Sequence, residues 1–252
     1  MAKRRPVKRL ISKYIPGKGK AQVLNKPSEL SHLLFVASRG IHGVRNVAII
    51  WMLFGSGHRI SEVAQLKISD IYYPDGELKT CFVIPGTYTK TGKPRLAYIK
   101  VKQQRESLDK WKRQRIAEKA LLSDDGSYGG LRADSPVFLS KKGTWRKFAL
   151  NVKKYETEDG EKETLVCSSL ENLVRDIAKS AGFQGASSHS GRRSIASLMD
   201  HKGYDLELIQ KILGHEDQEM SIEYIEPDME RIDKAFKTIW ARVKQPDFEK
   251  NK

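Results

Sequence analysis

The sequence predicts a mainly α chain with small antiparallel β-sheets, an α+β fold. Nine segments repeat apolar residues at helical spacing, two short stretches alternate around turns as hairpin strands do, and no internal repeat is visible.

Taken in order, Ser28-Glu29 opens a helix that runs to about Ser38. Val44 to Gly55 is a second, marked as buried by the apolar run Val47 to Phe54. Gly55-Ser56-Gly57 breaks the chain, and Arg59 to Leu66 restarts a helix with Ile60, Val63, Ala64 and Leu66 on its inner side. Leu78 to Pro85 and Arg95 to Val101 read as paired strands, with Thr89 to Pro94 between them. A long basic helix bearing Trp111 is expected from about Gln103 to Leu122, then a loop from Ser123 to Asp134 and a short strand at Val137-Phe138-Leu139. Lys153 to Val166 alternates about Asp159-Gly160 and reads as a second hairpin. Helices follow at Ser169 to Ser180, Gly191 to His201, Leu206 to Leu213, Asp217 to Ile225 and Met229 to Val243. The last carries Met229, Ile232, Phe236, Ile239, Trp240 and Val243 as an apolar stripe.

The chain has 252 residues, enough to bury a large core without a metal or disulfide staple. Its longest apolar run is eight residues where a membrane span needs about 20, and no secretory leader is expected from its basic start. Cys81 and Cys167 form no CxxC and make no disulfide framework. The net charge is +15, and it is unevenly placed. Residues 1–26 hold nine Lys or Arg and no acid, among them Lys3, Arg4, Arg5, Lys8 and Arg9. With Pro6, Pro16, Gly17 and Gly19, residues 1–27 read as a basic, flexible arm, and a polyanion is its natural partner because neutralised phosphates release counterions. Residues 28–252 then form one domain. Gly17-Lys18-Gly19-Lys20 lacks the spacing of a nucleotide-binding P-loop, and Ile60 stands where a GxGxxG fingerprint needs its third Gly.

The residues with chemical potential lie far apart. Gly57-His58-Arg59-Ile60-Ser61-Glu62 puts an Arg at a helix start. His189-Ser190-Gly191-Arg192 puts an imidazole and a guanidinium on one side of another, with Ser190 and Gly191 allowing close approach to a ligand. Leu213-Gly214-His215 ends a helix, and Tyr224 follows nine residues later. Each alone has a structural explanation: a cap, a core Tyr, or an Arg59–Glu62 surface pair.

Together they resemble the tyrosine recombinase (phage integrase) family. The family's marks are Arg-Ile-Ser-Glu after a Gly-containing turn, a Lys on a hairpin, His-x-x-Arg, Leu-Gly-His and a Tyr nine residues on. Arg59 to Glu62, Lys90 in Thr-Lys-Thr-Gly-Lys-Pro-Arg, His189 with Arg192, Leu213 to His215 and Tyr224 match them in order, over about residues 28–243.

The resemblance implies a catalytic domain at 28–252 that exchanges DNA strands through a 3′-phosphotyrosyl intermediate, with no metal and no other cofactor. Tyr224 would be the nucleophile, Arg59 and Arg192 the phosphate clamp, His189 the proton acceptor, His215 a phosphate donor and Lys90 the general acid, with Lys93 the runner-up for that role. Glu62 would orient Arg59 rather than react. Two fixed guanidinium forks suit a phosphodiester whose transition state gains negative charge. Lys93, Arg95, Arg193 and the arm cations are assigned to DNA contact. The implied partners are double-stranded DNA, further copies of this chain in a tetrameric synapse, and an accessory DNA-bending or helper protein; the implied location is cytoplasmic, at the nucleoid. The roles such chemistry serves are integration, excision, inversion or resolution. A silent DNA-binding regulator and a type IB topoisomerase-like nicking-closing enzyme are the alternatives on the same fold.

Two departures from the family pattern stand out. Fewer than 30 residues precede the catalytic motifs, so the usual N-terminal core-binding domain is expected to be absent. The hairpin at 153–166 looks like an insertion, and its Glu156, Glu158, Asp159, Glu161 and Glu163 are expected to point it away from DNA or toward a protein. The final helix is expected to pack either on its own core or on a neighbouring subunit.

Overall fold

The computed structural model describes residues 20–89, 91–142, 144–157, 160–214 and 224–225. The order is α1 (Pro27–Ala37), α2 (Gly43–Ser56), α3 (Ile60–Gln65), α4 (Ile68–Ile71), β1 (Cys81–Ile84), β2 (Arg95–Tyr98), α5 (Lys102–Ala117), β3 (Leu139–Lys142), β4 (Thr144–Lys147), β5 (Asn151–Thr157), β6 (Gly160–Val166), α6 (Ser168–Ser180), α7 (Ser190–His201) and α8 (Leu206–Leu213). About half of the described residues are helical, and among them the three ladders are separate antiparallel pairs, β1–β2, β3–β4 and β5–β6. Among the described residues no helix is long and apolar enough to cross a membrane.

The core forms around α2. Its Ala48, Ile49, Ile50, Met52 and Leu53 are buried, as a helix apolar on most of its circumference demands. Helices α1, α5 and α7 pack around it. A polar tie crosses this packing, Ser56 Oγ lying 2.9 Å and 2.6 Å from the two side-chain amide atoms of Gln104. A smaller cluster of Ala196, Ile209 and Leu213 joins α7 to α8, and Tyr224 and Ile225 pack against it.

Some expected boundaries are corrected. Helix α5 stops at Ala117 rather than near Leu122, because Lys119 and Leu121 take positive φ of 51° and 59° and the Ala120 amide turns back to the Arg115 carbonyl at 2.8 Å. The Arg115 guanidinium fixes that turn, donating to Ala120 O at 3.1 Å, Pro136 O at 2.8 Å and Ser135 Oγ at 3.0 Å. Val137 and Phe138 are not strand. Val137 instead bridges elements, its amide donating to Leu66 O at 2.7 Å and its carbonyl accepting from Trp111 Nε1 at 2.8 Å. The strand begins at Leu139 and pairs with Thr144–Lys147, a hairpin not expected from the sequence pattern. The hairpin at 153–166 is present, from Asn151 to Val166.

The chain is held to the body from residue 21, inside the segment read as an arm. Gln22 N donates to Gly185 O at 2.8 Å, Leu24 N donates to Ser194 Oγ at 2.9 Å, and Leu24 is buried. The basic residues Lys3, Arg4, Arg5, Lys8 and Arg9, and the apolar stripe from Met229 to Val243, lie outside the described residues.

Candidate active site

The site begins where α2 ends. Gly57 takes the left-handed conformation (φ 65°) that closes α2, and a Cβ there would sit 2.6 Å from Leu213 Cδ2. The turn buries His58, whose Nδ1 lies 3.1 Å from Met52 O and whose ring stacks on Phe82 of β1 at 5.7 Å. Burial, with Arg95 nearby, lowers its pKa to about 4.

Arg59 caps α3, and Glu62 reaches back to it. Glu62 Oε2 accepts from the Arg59 amide at 2.8 Å while Oε1 accepts from Arg59 Nη1 at 3.0 Å. The same carboxylate accepts from Arg95 of β2, Nε at 3.0 Å and Nη2 at 2.6 Å. Glu62 is wholly buried. Burial alone would raise its pKa, but the Arg95 bonds and the two positive charges bring it down to about 2.

Arg192 comes from α7. It is 1% exposed, with Nη1 donating to Gly57 O at 2.6 Å and Nη2 to Leu213 O at 2.8 Å. Burial first and Arg59 second hold its pKa below the ordinary guanidinium value, still well on the cationic side of neutrality. Helix α7 reaches this depth because Gly191 meets α2 backbone at Leu53 O, where a Cβ would overlap. The close approach read for Gly191 therefore belongs to helix packing rather than to a ligand.

His189 caps α7, exposed at its outer edge; partial burial, then Arg192, lower its pKa, which favours the neutral, proton-accepting imidazole. Tyr224 completes the group, with the Arg192 guanidinium carbon 5.5 Å from its ring centroid.

Arg59, Glu62, His189, Arg192 and Tyr224 thus gather from separated stretches of chain. Lys90 and His215 lie outside the described residues, although their flanks are placed. Thr89 Oγ1 bonds across the turn to Gly86 O and Lys93 O, both at 2.9 Å, and Gly214 ends α8 in the left-handed region at φ 63°. Lys93 is exposed on that turn.

Two residues assigned to DNA contact are corrected. Arg193 is buried and donates to Ala21 O, so it fastens the incoming chain to α7. Arg95 is turned inward, its side chain 9% exposed, and its fork is spent on Glu62. Nothing local signals this pairing, since 33 residues separate the partners. The inserted hairpin also has a definite seat: Glu163, Thr164 and Leu165 border a small groove with Ser61, Gln65 and Thr87 to Thr89.

The model of the phage integrase family matches residues 25–231. Among curated relatives, tyrosine recombinase XerC of Pelobacter propionicus is 26% identical over 208 residues, 82% of this chain and 56% of its own length. Tyrosine recombinase XerC of Vibrio cholerae is 25% identical over 217 residues, 86% and 58% of the two chains. The chain therefore spans little more than half the length of these relatives. In fold it is similar to the crystal structure of XerA recombinase, with TM-score 0.59, 20% identity, and 90% and 67% of the two chains covered. It is also similar to XerH site-specific recombinase bound to palindromic difH substrate in a post-cleavage complex, with TM-score 0.60, 24% identity, and 87% and 53% covered. With residues 25–231, most of the chain, matched by one family model, the chain belongs to the phage integrase family.

Proposed function

We propose that this chain is the catalytic part of a site-specific DNA recombinase that breaks and rejoins duplex DNA through a phosphotyrosyl ester. The observation that carries the reading is the Tyr224 ring lying against Arg192, with Arg59 and His189 close to the same guanidinium. A phenol titrates near pH 10, so attack at neutral pH needs cations and a proton acceptor around it.

In the proposed step the Tyr224 Oη–phosphorus bond forms as the phosphorus–O5′ bond breaks. The phenolic proton passes to His189, and the departing 5′-oxygen takes a proton from Lys90. Arg59 and Arg192 hold the non-bridging oxygens as their charge grows, and His215 adds a donor. The 3′-phosphotyrosyl ester keeps the bond energy, so a 5′-hydroxyl from another strand reverses the step and reseals. Exchanging two duplexes cuts four strands with one tyrosine each, which makes a four-subunit assembly on DNA the natural working form. XerH, similar to this chain in fold, was solved bound to its difH substrate, which supports DNA as the partner.

The test is incubation with nicked duplexes drawn from the DNA flanking its own coding segment. A protein–DNA adduct that survives denaturant is expected; free DNA alone at every position would contradict the reading.

A further inference from the structure

Arg95 sits at a junction. Its fork saturates Glu62, its Nη1 donates to Leu96 O at 3.2 Å, and its side chain fills the space over Gly214, where a Cβ would overlap Arg95 Cδ. Gly214 follows Leu213, whose carbonyl holds Arg192. One side chain on β2 therefore touches the carboxylate that orients Arg59 and the corner that anchors the second arginine.

The charge count gives this junction a purpose. Glu62 is a buried anion next to Arg59, and a carboxylate competes with a phosphate for the same fork. With Arg95 occupying both oxygens, Glu62 takes only the amide and Nη1 of Arg59. Two guanidinium groups then hold one carboxylate, and the surplus is positive.

We propose that Arg95 is a positioning residue of the phosphate site: by neutralising and fixing Glu62 it keeps the charge and the remaining N–H groups of Arg59 for the scissile phosphate. The proposal rests on the strand-cleavage reading above. It makes the charge of Arg95 matter more than its bulk, and it makes Glu62 harmful once Arg95 is gone.

Single-turnover adduct formation on the nicked duplexes tests this with wild type, Arg95→Lys, Arg95→Gln and Arg95→Gln/Glu62→Gln. Gln keeps the stem over Gly214 without the charge; Lys keeps the charge. Expected are a fall of about 10²-fold for Arg95→Gln, the scale of one missing transition-state donor, and within about 5-fold of wild type for Arg95→Lys. The double variant should recover about 10-fold over Arg95→Gln, a non-additivity that measures coupling between neighbours. Arg95→Gln should melt below Arg95→Lys, because it strips a partner from the buried Glu62 carboxylate, and the double variant should regain part of that loss, so rates are compared at a temperature where every variant is folded. Equal rates for Arg95→Lys and Arg95→Gln, or a double variant no faster than Arg95→Gln, would overturn the role of Arg95. A wild type that forms no adduct would instead contradict the proposed function itself.

Discussion

The Arg192 guanidinium carbon lies 5.5 Å from the centre of the Tyr224 ring, within one polypeptide. Tyr224 also packs on the Ala196–Ile209–Leu213 cluster, so the contact is backed by α7 and α8. The phenol is thereby beside a cation whose own position is set by two carbonyls, Gly57 O and Leu213 O.

That double anchorage makes Arg192→Lys a severe change. An ammonium cannot span both carbonyls and still present a planar fork. One carbonyl left unsatisfied costs about 1–3 kcal/mol. Adduct formation should fall by about 10²-fold or more, and guanidinium chloride unfolding should show the stability loss; unchanged rates would remove Arg192 from the phosphate clamp.

Gly57→Ala tests the turn that supplies the first carbonyl. At φ 65° an L side chain is strained, and the new Cβ would meet Leu213 Cδ2 at 2.6 Å. A cost of about 1–3 kcal/mol is expected, read as a drop of about 2–4 °C in melting temperature per kcal/mol. Activity should drop with it, since Gly57 O moves with the turn.

Acid should weaken the fold in two successive, slightly overlapping windows. His58 titrates at about 4 when folded against 6.5 ordinarily, so the unfolded chain takes the proton first. Stability is whole above pH 6.5 and declines toward pH 4, by up to about 3 kcal/mol. Glu62, at about 2 against 4.5, contributes stability that is present above pH 4.5 and lost as pH falls toward 2. Denaturant midpoints measured across pH should show both declines, and His58→Gln should flatten only the upper one.

Much of this was legible in the sequence, and the exceptions share a cause. Helices α2, α3, α6, α7 and α8 follow from apolar spacing and Gly breaks, and the ordered motifs single out Arg59, Glu62, Arg192 and Tyr224, which the fold brings near one another. What escaped depended on distant partners. Arg95 and Arg193 look like solvent cations until β2 meets Glu62 and α7 meets Ala21. Helix α5 keeps a helical pattern past Ala117, but buried Arg115 pulls the chain back through Ala120 O. Local pattern carries no record of such tertiary competition.

The N-terminal segment gives a prediction of another kind. Residues 2–19 contain seven Lys or Arg and no acid, and the chain is fastened to α7 from residue 21 onward. Deleting 2–19 should leave the melting temperature nearly unchanged yet weaken duplex binding. The log–log salt slope should flatten by about 0.9 for each phosphate that is no longer neutralised. An unchanged slope would refute DNA binding by this segment.

The most direct measurement is to digest the covalent protein–DNA adduct and locate the attached nucleotide by mass spectrometry. A phosphotyrosyl remnant on the peptide containing Tyr224, absent from Tyr224→Phe protein that still folds and binds duplex, is the predicted result. A remnant on any other residue, or an adduct that survives in Tyr224→Phe, would contradict the assignment of this phenol as the nucleophile.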